Sequence, residues 1–319
     1  MTLKVKISVA LCTCNGEAYI EQQLTSILNQ TYLPDEIIVV DDASEDKTII
    51  LTQQILENSN ITYSIHVNEN RLGAAANFLK AMKLATGDYI FCCDQDDIWK
   101  EDKLACFMQR IQQSHKQLYF SNGLLVNAAG VSMKCTVWES LHFHPSMLDK
   151  TLAFDLILNR CFVTGAAMAV SKELVDTVEE IPEGWLHDGW FSLLACVNHS
   201  IEAIDEILFY YRQHAKNVVG AGGRNLVSNV RRWKNNTQRL KKMRTDRYQR
   251  YINIKKKGIV DNNPALDQCI QFWRELETLQ TASKMKGIII VQKNILNGNY
   301  KKYYTGFKGG FRDVLSLFS

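Results

Sequence analysis

The sequence lacks the features of a secreted or membrane-spanning protein. Nine cysteines are scattered along its 319 residues without a CxxC pair, and several lie in apolar runs, where a reduced, buried thiol is usual. This pattern argues against a disulfide framework and a structural zinc site. No apolar stretch reaches about 18 residues, the length of a transmembrane helix, and the N-terminal apolar run is too short for a signal peptide. We therefore expect a cytoplasmic protein.

Glycine-rich phosphate loops are also missing. No GxGxxG motif follows the first apolar run, and GxxxxGK[ST] occurs nowhere in the chain. These absences exclude a Rossmann dinucleotide fingerprint and a P-loop. A nucleotide, if one binds, must be held by carboxylates and a metal ion. The hydrophobic fraction of 46% and the net charge of +3 are those of an ordinary globular protein.

The first 100 residues alternate between apolar runs of strand length and segments with helical periodicity. The predicted strands are Ile7–Cys12, Glu36–Val40, Ile61–Val67 and Ile90–Cys93, and the predicted helices span 17–30, 48–58 and 74–86. Strands that alternate with helices of this length indicate an α/β protein with a doubly wound, mostly parallel sheet.

Three of these strands end in polar clusters. The first is followed by Thr13 and Asn15, the second by Asp41 and Asp42, and the last by Asp94-Gln-Asp96-Asp97. In a parallel sheet, these ends meet at one edge, where open α/β sheets bind their ligands. Carboxylates at i and i+2 can share a divalent cation. An isolated DxD is more often a solvated acidic turn, but three such clusters together predict a binding crevice.

The ordered motifs resemble those of the family 2 glycosyltransferases, which have the GT-A fold and use nucleotide-sugar donors. The resemblance covers roughly residues 5–110. Its segments are ISVALCTCN from Ile7, SILNQT from Ser26, EIIVVDDAS from Glu36, NRLG from Asn70, Asn77, and GDYIFCCDQDD from Gly87. The Asp-Gln-Asp-Asp-Ile-Trp form is most similar to bacterial surface-polysaccharide transferases, rhamnosyltransferases among them.

The resemblance implies a role for each matched residue. Asp42 would bind the pyrimidine base, Asp94 the ribose, and Asp96 a Mg²⁺ or Mn²⁺ ion that bridges the diphosphate. The expected nucleotide-sugar-binding set is Thr13, Asn15, Glu17, Asp42, Asn77, Asp94 and Gln95. The chain departs from the family at Cys12 and Cys14, where Pro and Tyr are frequent, and at Ala76, where Arg is frequent.

Acceptor chemistry is expected around Trp185-Leu-His187-Asp188-Gly-Trp190. The segment resembles the family's E/H-D motif, whose Asp is the catalytic base of inverting members. Asp188 would take a proton from the acceptor hydroxyl, while Trp185, His187 and Trp190 would contact the acceptor. A simple helix-capping role for Asp188 is the alternative, and it is compatible with catalysis.

Three further strands are predicted, at Tyr119–Val126, Arg160–Val170 and Ile204–Tyr211. His214 follows the last of them. The placement resembles a family segment over the diphosphate, so His214 is expected to bind the metal or donate to phosphate, with Arg212 or Lys216 as phosphate partners. A purely structural histidine is the alternative.

The end of the chain departs from the α/β pattern. Ala221–Gly223 has the composition of a linker or lid, and residues 224–257 hold thirteen Lys or Arg against one acid, Asp246. Apolar and aromatic residues recur between the cations at helical spacing. We interpret 224–257 as an amphipathic helix attracted to anionic lipid or a pyrophosphate-linked acceptor, a surface that Lys284–Phe318 would continue. Nucleic acid would bind such a face too, but it is not the favoured partner.

The sequence therefore predicts a glycosyltransferase domain at 1–220 and a helical, basic region at 221–319. The expected reaction is inverting, metal-dependent transfer from a nucleotide-sugar (dTDP-rhamnose or a UDP-sugar) to a saccharide or lipid-linked acceptor in surface-polysaccharide synthesis. No QxxRW segment follows Asp188, which argues against a processive synthase. The alternative is a membrane-binding or nucleic-acid-binding module with an inactive α/β domain. A peripheral position on the inner membrane face is part of the transferase prediction.

Overall fold

The computed structural model describes residues 4–148, 150–214, 233–260 and 263–318. The chain divides into two compact units. The first comprises Met1–Lys150, Cys161–Ile181 and Leu186–Gly222, and the second comprises Thr151–Arg160, Pro182–Trp185 and Gly223–Ser319. The second unit thus includes two short segments, 151–160 and 182–185, from the middle of the chain, where composition gave no sign of a boundary. The predicted linker at Ala221–Gly223 lies outside the described residues.

The first unit contains the strands. They are β1 (Ile7–Thr13), β2 (Glu36–Asp41), β3 (Thr62–Val67), β4 (Tyr89–Asp94), β5 (Ile98–Trp99), β6 (Leu118–Asn127), β7 (Ser132–Thr136), β8 (Met168–Ser171) and β9 (Ile201–Gln213). Its helices are α1 (Ile20–Leu28), α2 (Thr48–Glu57), α3 (Ala74–Leu84), α4 (Lys103–Ser114), α5 (Val137–Ser140), α7 (Lys172–Asp176) and α8 (His187–Val197).

Over the described residues, nine strands form one mixed sheet with the order β3-β2-β1-β4-β8-β6-β9-β5, and β7 pairs with β6. The first four strands are parallel to one another. β8 runs antiparallel to both β4 and β6. Every residue of β1 is buried, because helices cover both faces of a parallel sheet. The α/β fold with a mostly parallel sheet agrees with the sequence prediction.

The strand predicted over Arg160–Val170 is wrong for its first half. A short 3₁₀ turn, Gly165–Ala167, precedes β8, which is only four residues long. The Ala166 carbonyl accepts a hydrogen bond from the Lys103 ammonium (2.6 Å) instead of pairing with a neighbouring strand. The strand therefore begins at Met168, later than predicted, and the turn before it holds a buried lysine.

The second unit is helical, as predicted. Its helices are α6 (Lys150–Asn159), α9 (Trp233–Lys256), α10 (Pro264–Thr278), α11 (Lys284–Leu296), α12 (Asn299–Tyr303) and α13 (Phe307–Ser316). Among the described residues, no helix is long and apolar enough to cross a membrane.

The basic run at 224–257 does not present all of its charges to solvent. Residues 224–232 lie outside the described part of the chain, and α9 begins at Trp233. Arg244 is buried and pairs with Asp313 (Nη2–Oδ1, 2.8 Å). Arg247 lies over the Trp273 ring, 4.9 Å from its centre. Part of the run therefore stabilises the second unit, which the count of charges did not indicate.

Candidate active site

The register of the parallel strands brings the polar strand ends together. Thr13 lies opposite Asp41 across β1 and β2, and Cys12 lies opposite Asp94 across β1 and β4. The loops that follow these three strands therefore leave the same edge of the sheet. The predicted convergence of the three polar clusters is confirmed.

Hydrogen bonds join the loops after β1 and β2. The Thr13 hydroxyl donates to Asp41 Oδ2 (2.6 Å). Asn15 has a positive φ of 51°, and its side-chain oxygen accepts the Glu45 N–H (2.9 Å). Glu17 accepts a backbone N–H from the same loop (3.1 Å). These residues form one preorganised rim at the sheet edge, where the donor nucleotide is expected.

Asp42 organises the loop between β3 and α3. Its carboxylate accepts hydrogen bonds from Asn68 Nδ2 (3.0 Å) and from the N–H groups of Leu72 (2.6 Å) and Gly73 (2.9 Å). Asn77 is buried and accepts from the same Asn68 amide (2.8 Å). The two residues predicted to bind the nucleotide thus share a network that fixes the loop beside the pocket.

Gln95 joins the acidic turn (Asp94–Asp97) to the loop that follows β1. Its side chain accepts the Cys14 N–H (2.7 Å) and donates to the Cys14 carbonyl (3.0 Å). A Cβ at Gly16 would lie 2.2 Å from Gln95 Oε1, so glycine is required there for this close approach. Gln95 consequently positions the acidic turn against the end of β1.

Asp96 and His214 are neighbours, although 118 residues separate them in sequence. His214 Nε2 lies 2.7 Å from Asp96 Oδ2, and both side chains are largely buried. The imidazole stacks on the Tyr19 ring, with 4.8 Å between ring centres. The two side chains predicted as metal ligands thus come from the loop after β4 and the end of β9 and face each other.

Arg212 is directed into the protein, so the expectation that it binds phosphate is not supported by its contacts. The residue is buried. Its Nε donates to the Asp96 carbonyl (2.7 Å), its backbone N–H to Asp97 Oδ1 (2.9 Å), and its Nη2 to Gln22 (2.6 Å). Sequence reasoning recognised the residue but could not show which way its guanidinium pointed. Lys216 lies outside the described residues.

Negative charge accumulates around Asp94. Burial, together with the charges of Asp96 and Asp188, raises the pKa of Asp94 to about 7, and Lys103 opposes this shift only in part. The pKa of Asp97 is raised for the same kind of reason, burial first and the Asp96 charge second. Asp188 from α8 is therefore close enough to act electrostatically on the residues after β4.

Asp188 stands in the first turn of α8, whose N-cap residue is Leu186. Its Oδ1 accepts the N–H of Gly189 (2.6 Å), and its side chain is only partly buried. The capping role considered from sequence belongs to a different position, because a capping side chain sits at the N-cap. A carboxylate here is near the acidic turn and reachable by solvent.

These residues fit a hard divalent cation by their chemistry. Carboxylate oxygens with unneutralised charge are the ligands that Mg²⁺ prefers, and an imidazole nitrogen adds a donor suited to Mn²⁺. The described residues contain no group of three or more His, Cys, Asp or Glu side chains already arranged around a common point. Asp96 and His214 are the pair that would hold an ion.

The comparison with known proteins covers most of the residues described above. The family model described as "Glycosyl transferase family 2" matches residues 8–178, more than half of the chain. The chain belongs to the family 2 glycosyltransferases. The prediction that it is a glycosyltransferase is thereby confirmed.

Two curated relatives of this glycosyltransferase show that similar proteins are named for different sugar donors. It is 28% identical over 228 residues to the dTDP-rhamnosyl transferase RfbG of Shigella flexneri, which covers 66% of this chain and 74% of that protein. It is 31% identical over 121 residues to the UDP-Glc:alpha-D-GlcNAc-diphosphoundecaprenol beta-1,3-glucosyltransferase WfgD of Escherichia coli, which covers 38% of this chain and 47% of that protein.

Solved structures share the fold. The crystal structure of S. aureus TarS 1-349 in complex with UDP-GlcNAc has a TM-score of 0.57 and 16% identity, over 98% of this chain and 89% of that chain. The mannosyltransferase PcManGT from Pyrobaculum calidifontis, in complex with GDP-Man and Mn²⁺, has a TM-score of 0.52 and 16% identity, over 99% of this chain and 86% of that one. The GT-A fold of this glycosyltransferase is confirmed.

His187, a predicted acceptor contact, is buried in the glycosyltransferase. Its ring stacks on Phe78 with 3.8 Å between ring centres. A Cβ at Gly165 would lie 2.5 Å from its Nε2. Neither ring nitrogen has a hydrogen-bond partner among the described residues, and burial lowers the pKa of His187 to about 3. The imidazole is therefore neutral and held by packing.

The two tryptophans of the predicted acceptor platform are buried as well. Trp190 is 3% exposed and Trp185 is 4% exposed. Trp185 lies beneath the guanidinium of Arg250, 3.3 Å from the ring centre. In this conformation, neither indole offers an open face to a ligand. Their contact with an acceptor stays a prediction.

Sequence reasoning missed Lys103 as a residue of this region. The side chain is fully buried, and its ammonium lies 3.9 Å from the centre of the Trp99 ring. Burial lowers its pKa to about 7. Lys103 shares an apolar helix face with Phe107 and Ile111, at i, i+4 and i+8. That spacing was the available signal that this lysine points inward, towards the acidic turn.

Proposed function

We propose that this chain transfers a sugar, with inversion at the anomeric carbon, from a nucleotide-sugar to the hydroxyl of a saccharide or lipid-linked saccharide. Asp188 is the general base that takes the hydroxyl proton. Asp96 and His214 would hold a Mg²⁺ or Mn²⁺ ion, which would supply positive charge to stabilise the departing diphosphate. The product belongs to the synthesis of a bacterial surface polysaccharide.

The observation that carries the proposal is the pairing of Asp96 with His214 (Oδ2–Nε2, 2.7 Å) at the sheet edge where β1, β2 and β4 end. The Asp188 charge contributes to the raised pKa of Asp94, which supports Asp188 as a base close to these carboxylates. A partly exposed carboxylate at Asp188 leaves an approach for an acceptor hydroxyl.

The nucleotide end of the proposal rests on the rim built from Thr13, Asn15 and Glu17 and on the network of Asp42 and Asn77. These groups fix the backbone around the expected base and ribose positions. RfbG is named a dTDP-rhamnosyl transferase, which makes dTDP-rhamnose the first donor to test and UDP-sugars the second. The Mn²⁺ and GDP-Man in the PcManGT structure support the metal assignment.

The proposed acceptor is a saccharide linked to a lipid through a diphosphate. WfgD, by its name, acts on a diphosphoundecaprenol-linked sugar. An acceptor of this chemistry is anchored in a bilayer, so the enzyme would work at the cytoplasmic face of a membrane. Contact of Trp185, His187 and Trp190 with the saccharide stays a prediction, since all three side chains are buried in this structure.

A thermal-shift panel tests the donor and the metal together. The full chain is heated with dTDP-rhamnose, UDP-sugars and GDP-mannose, each with and without Mn²⁺. We expect one nucleotide class to raise the melting temperature only when the metal is present, because binding to the folded state stabilises it. Absence of any metal-dependent stabilisation would contradict the donor assignment.

Asp188→Asn tests the base separately from donor binding. We expect turnover to fall by at least about a hundredfold, the usual contribution of a general base, while the metal-dependent thermal shift stays unchanged. Asp205→Asn, at an exposed position on β9, is the matched control and should keep normal turnover. Near-normal rates for Asp188→Asn would remove it as the base.

A further inference from the structure

An exposed apolar stripe runs along α11. Met285, Ile289 and Leu296 are 76%, 58% and 86% exposed. With 3.6 residues per turn, positions 285, 289, 292 and 296 fall within about 60° of one another. Gln292 is the polar member of the stripe. The buried residues of the helix, Gly287, Val291 and Asn294, occupy its opposite side, so the stripe is not the face that packs into the second unit.

A second stripe runs along α13 and just past its end. Phe307, Phe311 and Phe318 are 74%, 58% and 59% exposed. The spacing of four residues puts Phe307 and Phe311 on one side of the helix, and Phe318 follows two residues past the helix end. The buried positions Gly309, Gly310 and Asp313 lie away from Phe307 and Phe311. Three exposed phenylalanines within twelve residues exceed what scattered surface apolar residues explain.

The two helices are antiparallel and direct their stripes to the same side. A Cβ at Gly287 would meet Leu317, and a Cβ at Gly310 would meet Ile295 and Val291. The start of α11 therefore lies beside the end of α13. The two helices approach each other most closely at Gly287 and Gly310. Placing these contacts on helical wheels puts both stripes on one flank of the pair. Together they form a single surface, the α11–α13 face.

The charges carried by residues 284–318 are almost all of one sign, and the nearby acid Glu275 of α10 is paired with Lys293 (2.8 Å). Residues 284–318 contain seven cations and one acid, Asp313, and Asp313 is buried against Arg244. Lys286 and Lys308 are exposed, each about 80° from the stripe of its own helix and on the outer edge of the pair. Long lysine side chains at this position can extend towards a charged boundary while apolar residues enter it.

We propose that the α11–α13 face docks on an anionic phospholipid bilayer. Phe307, Phe311, Met285, Ile289 and Leu296 enter the boundary between headgroups and acyl chains, and Lys286 and Lys308 contact lipid phosphates at its edges. This deepens the proposed function and rests on it in one respect, because a lipid-linked acceptor is presented at such a surface. The sequence predicts that residues 224–257 bind the membrane and that Lys284–Phe318 continue that surface, whereas the proposal assigns the contact to residues 284–318.

A second copy of the chain is the competing occupant of an apolar face. Two copies that met through this face would bring lysines of both edges together without exposed acids on 284–318 to pair with them. Like charges at close range oppose association. Anionic lipid satisfies both the apolar residues and the cations, so charge complementarity favours the bilayer.

Vesicle sedimentation of the full chain tests the proposal. Vesicles of phosphatidylcholine with phosphatidylglycerol are compared with vesicles of phosphatidylcholine alone, at low and high salt. We expect binding to the anionic vesicles that weakens with salt. Phe307→Ser with Phe311→Ser should weaken it at least about tenfold through lost apolar burial. Lys286→Glu with Lys308→Glu should weaken it by a similar factor.

Leu33→Ser with Ile50→Ser is the matched control, since these exposed apolar residues (50% and 58%) lie in the first unit. The control should bind like the unaltered chain. The proposal is overturned if the unaltered chain ignores anionic vesicles, if it binds neutral vesicles equally, or if the phenylalanine variant binds normally. A dimer in solution that the phenylalanine variant dissociates would also overturn it. The metal-dependent donor shift is read separately, so failure of vesicle binding does not resemble failure of the transferase proposal.

Discussion

His187 illustrates how burial fixes the state of a single side chain. Its imidazole is enclosed by Phe78 and by the space that Gly165 leaves open. Protonation inside this enclosure would bury a charge without a partner, which is why its pKa falls from 6.5 to about 3. The neutral ring belongs to the first residue of α8 and packs on Phe78 of α3, next in sequence to the candidate base Asp188.

The lowered pKa of His187 predicts loss of stability in acid. Between pH 6.5 and 3, the unfolded chain binds a proton at this residue that the folded chain does not. The free energy of unfolding should therefore fall by up to about 1.4 kcal/mol per pH unit as the pH drops through this range. Urea unfolding at a series of pH values measures the slope. His187→Phe should flatten it by up to about that amount.

His199→Phe is the control for this measurement, because His199 is exposed. It should leave the slope between pH 6.5 and 3 unchanged. If His187→Phe retains the full slope of the unaltered chain, the imidazole is not the group that titrates on unfolding.

At the scale of elements, β9 and the acidic turn after β4 are joined by Arg212. Its side chain donates to the Asp96 carbonyl and to Gln22 of α1, and its backbone N–H holds Asp97. The second Asp97 oxygen accepts no hydrogen bond among the described residues. The turn that carries Asp96 is therefore positioned by Arg212, which is not itself one of the proposed metal ligands.

Arg212→Met should weaken metal-dependent donor binding without unfolding the sheet. Loss of a residue that orients a metal ligand typically reduces metal affinity by about 10- to 100-fold. The measurement is the Mn²⁺ concentration needed for half of the donor-induced thermal shift. We expect Arg212→Lys to restore little, because an ammonium cannot reproduce a planar fork of donors.

Arg110→Met provides the comparison for Arg212→Met. Arg110 is 44% exposed and pairs with Glu202 (2.9 Å), so its loss should leave the Mn²⁺ requirement unchanged. A positioning role for Arg212 fails if its Met variant also keeps the original requirement.

At the scale of the whole molecule, the second unit has a polar centre of its own. Arg244 pairs with Asp313 at 2.8 Å, and the Tyr300 hydroxyl donates to the other Asp313 oxygen (2.8 Å). All three side chains are almost fully buried. Removal of one partner from a buried pair leaves a charge without compensation.

Asp313→Ala should lower the free energy of unfolding of the second unit by about 3–5 kcal/mol. Tyr300→Phe, which removes one hydrogen bond and keeps the ring, should cost about 1 kcal/mol. Urea titration of each variant, followed by tryptophan fluorescence, provides the comparison. Equal and small effects of the two changes would show that the ion pair is not a stabilising centre.

The first hundred residues were predictable because local and tertiary preferences agree there. The apolar runs of β1, β2 and β4 are almost completely buried, so their composition alone identifies central strands. β3 lies at the edge of the sheet and is only partly buried, and its alternating pattern identified it. Parallel pairing then makes the polar residues at three strand ends converge, whatever the details of packing. Prediction failed at 160–167, where an irregular segment and a 3₁₀ turn replace the strand, and where the Ala166 carbonyl accepts a hydrogen bond from Lys103, a residue far away in sequence.

The sequence by itself determined the α/β class, the sheet edge that carries the acidic turn, and the membership in a glycosyltransferase family, because these depend on patterns of neighbouring residues. Only the tertiary structure decided which charged groups turn inward. Arg212 and Arg244 have the same sequence appearance as solvated cations, yet each is buried on a partner far along the chain. The same holds for Asp94 and Asp97: their order was visible in the sequence, but burial and the neighbouring Asp96 charge, which only the fold brings about, raise the pKa of both carboxyl groups.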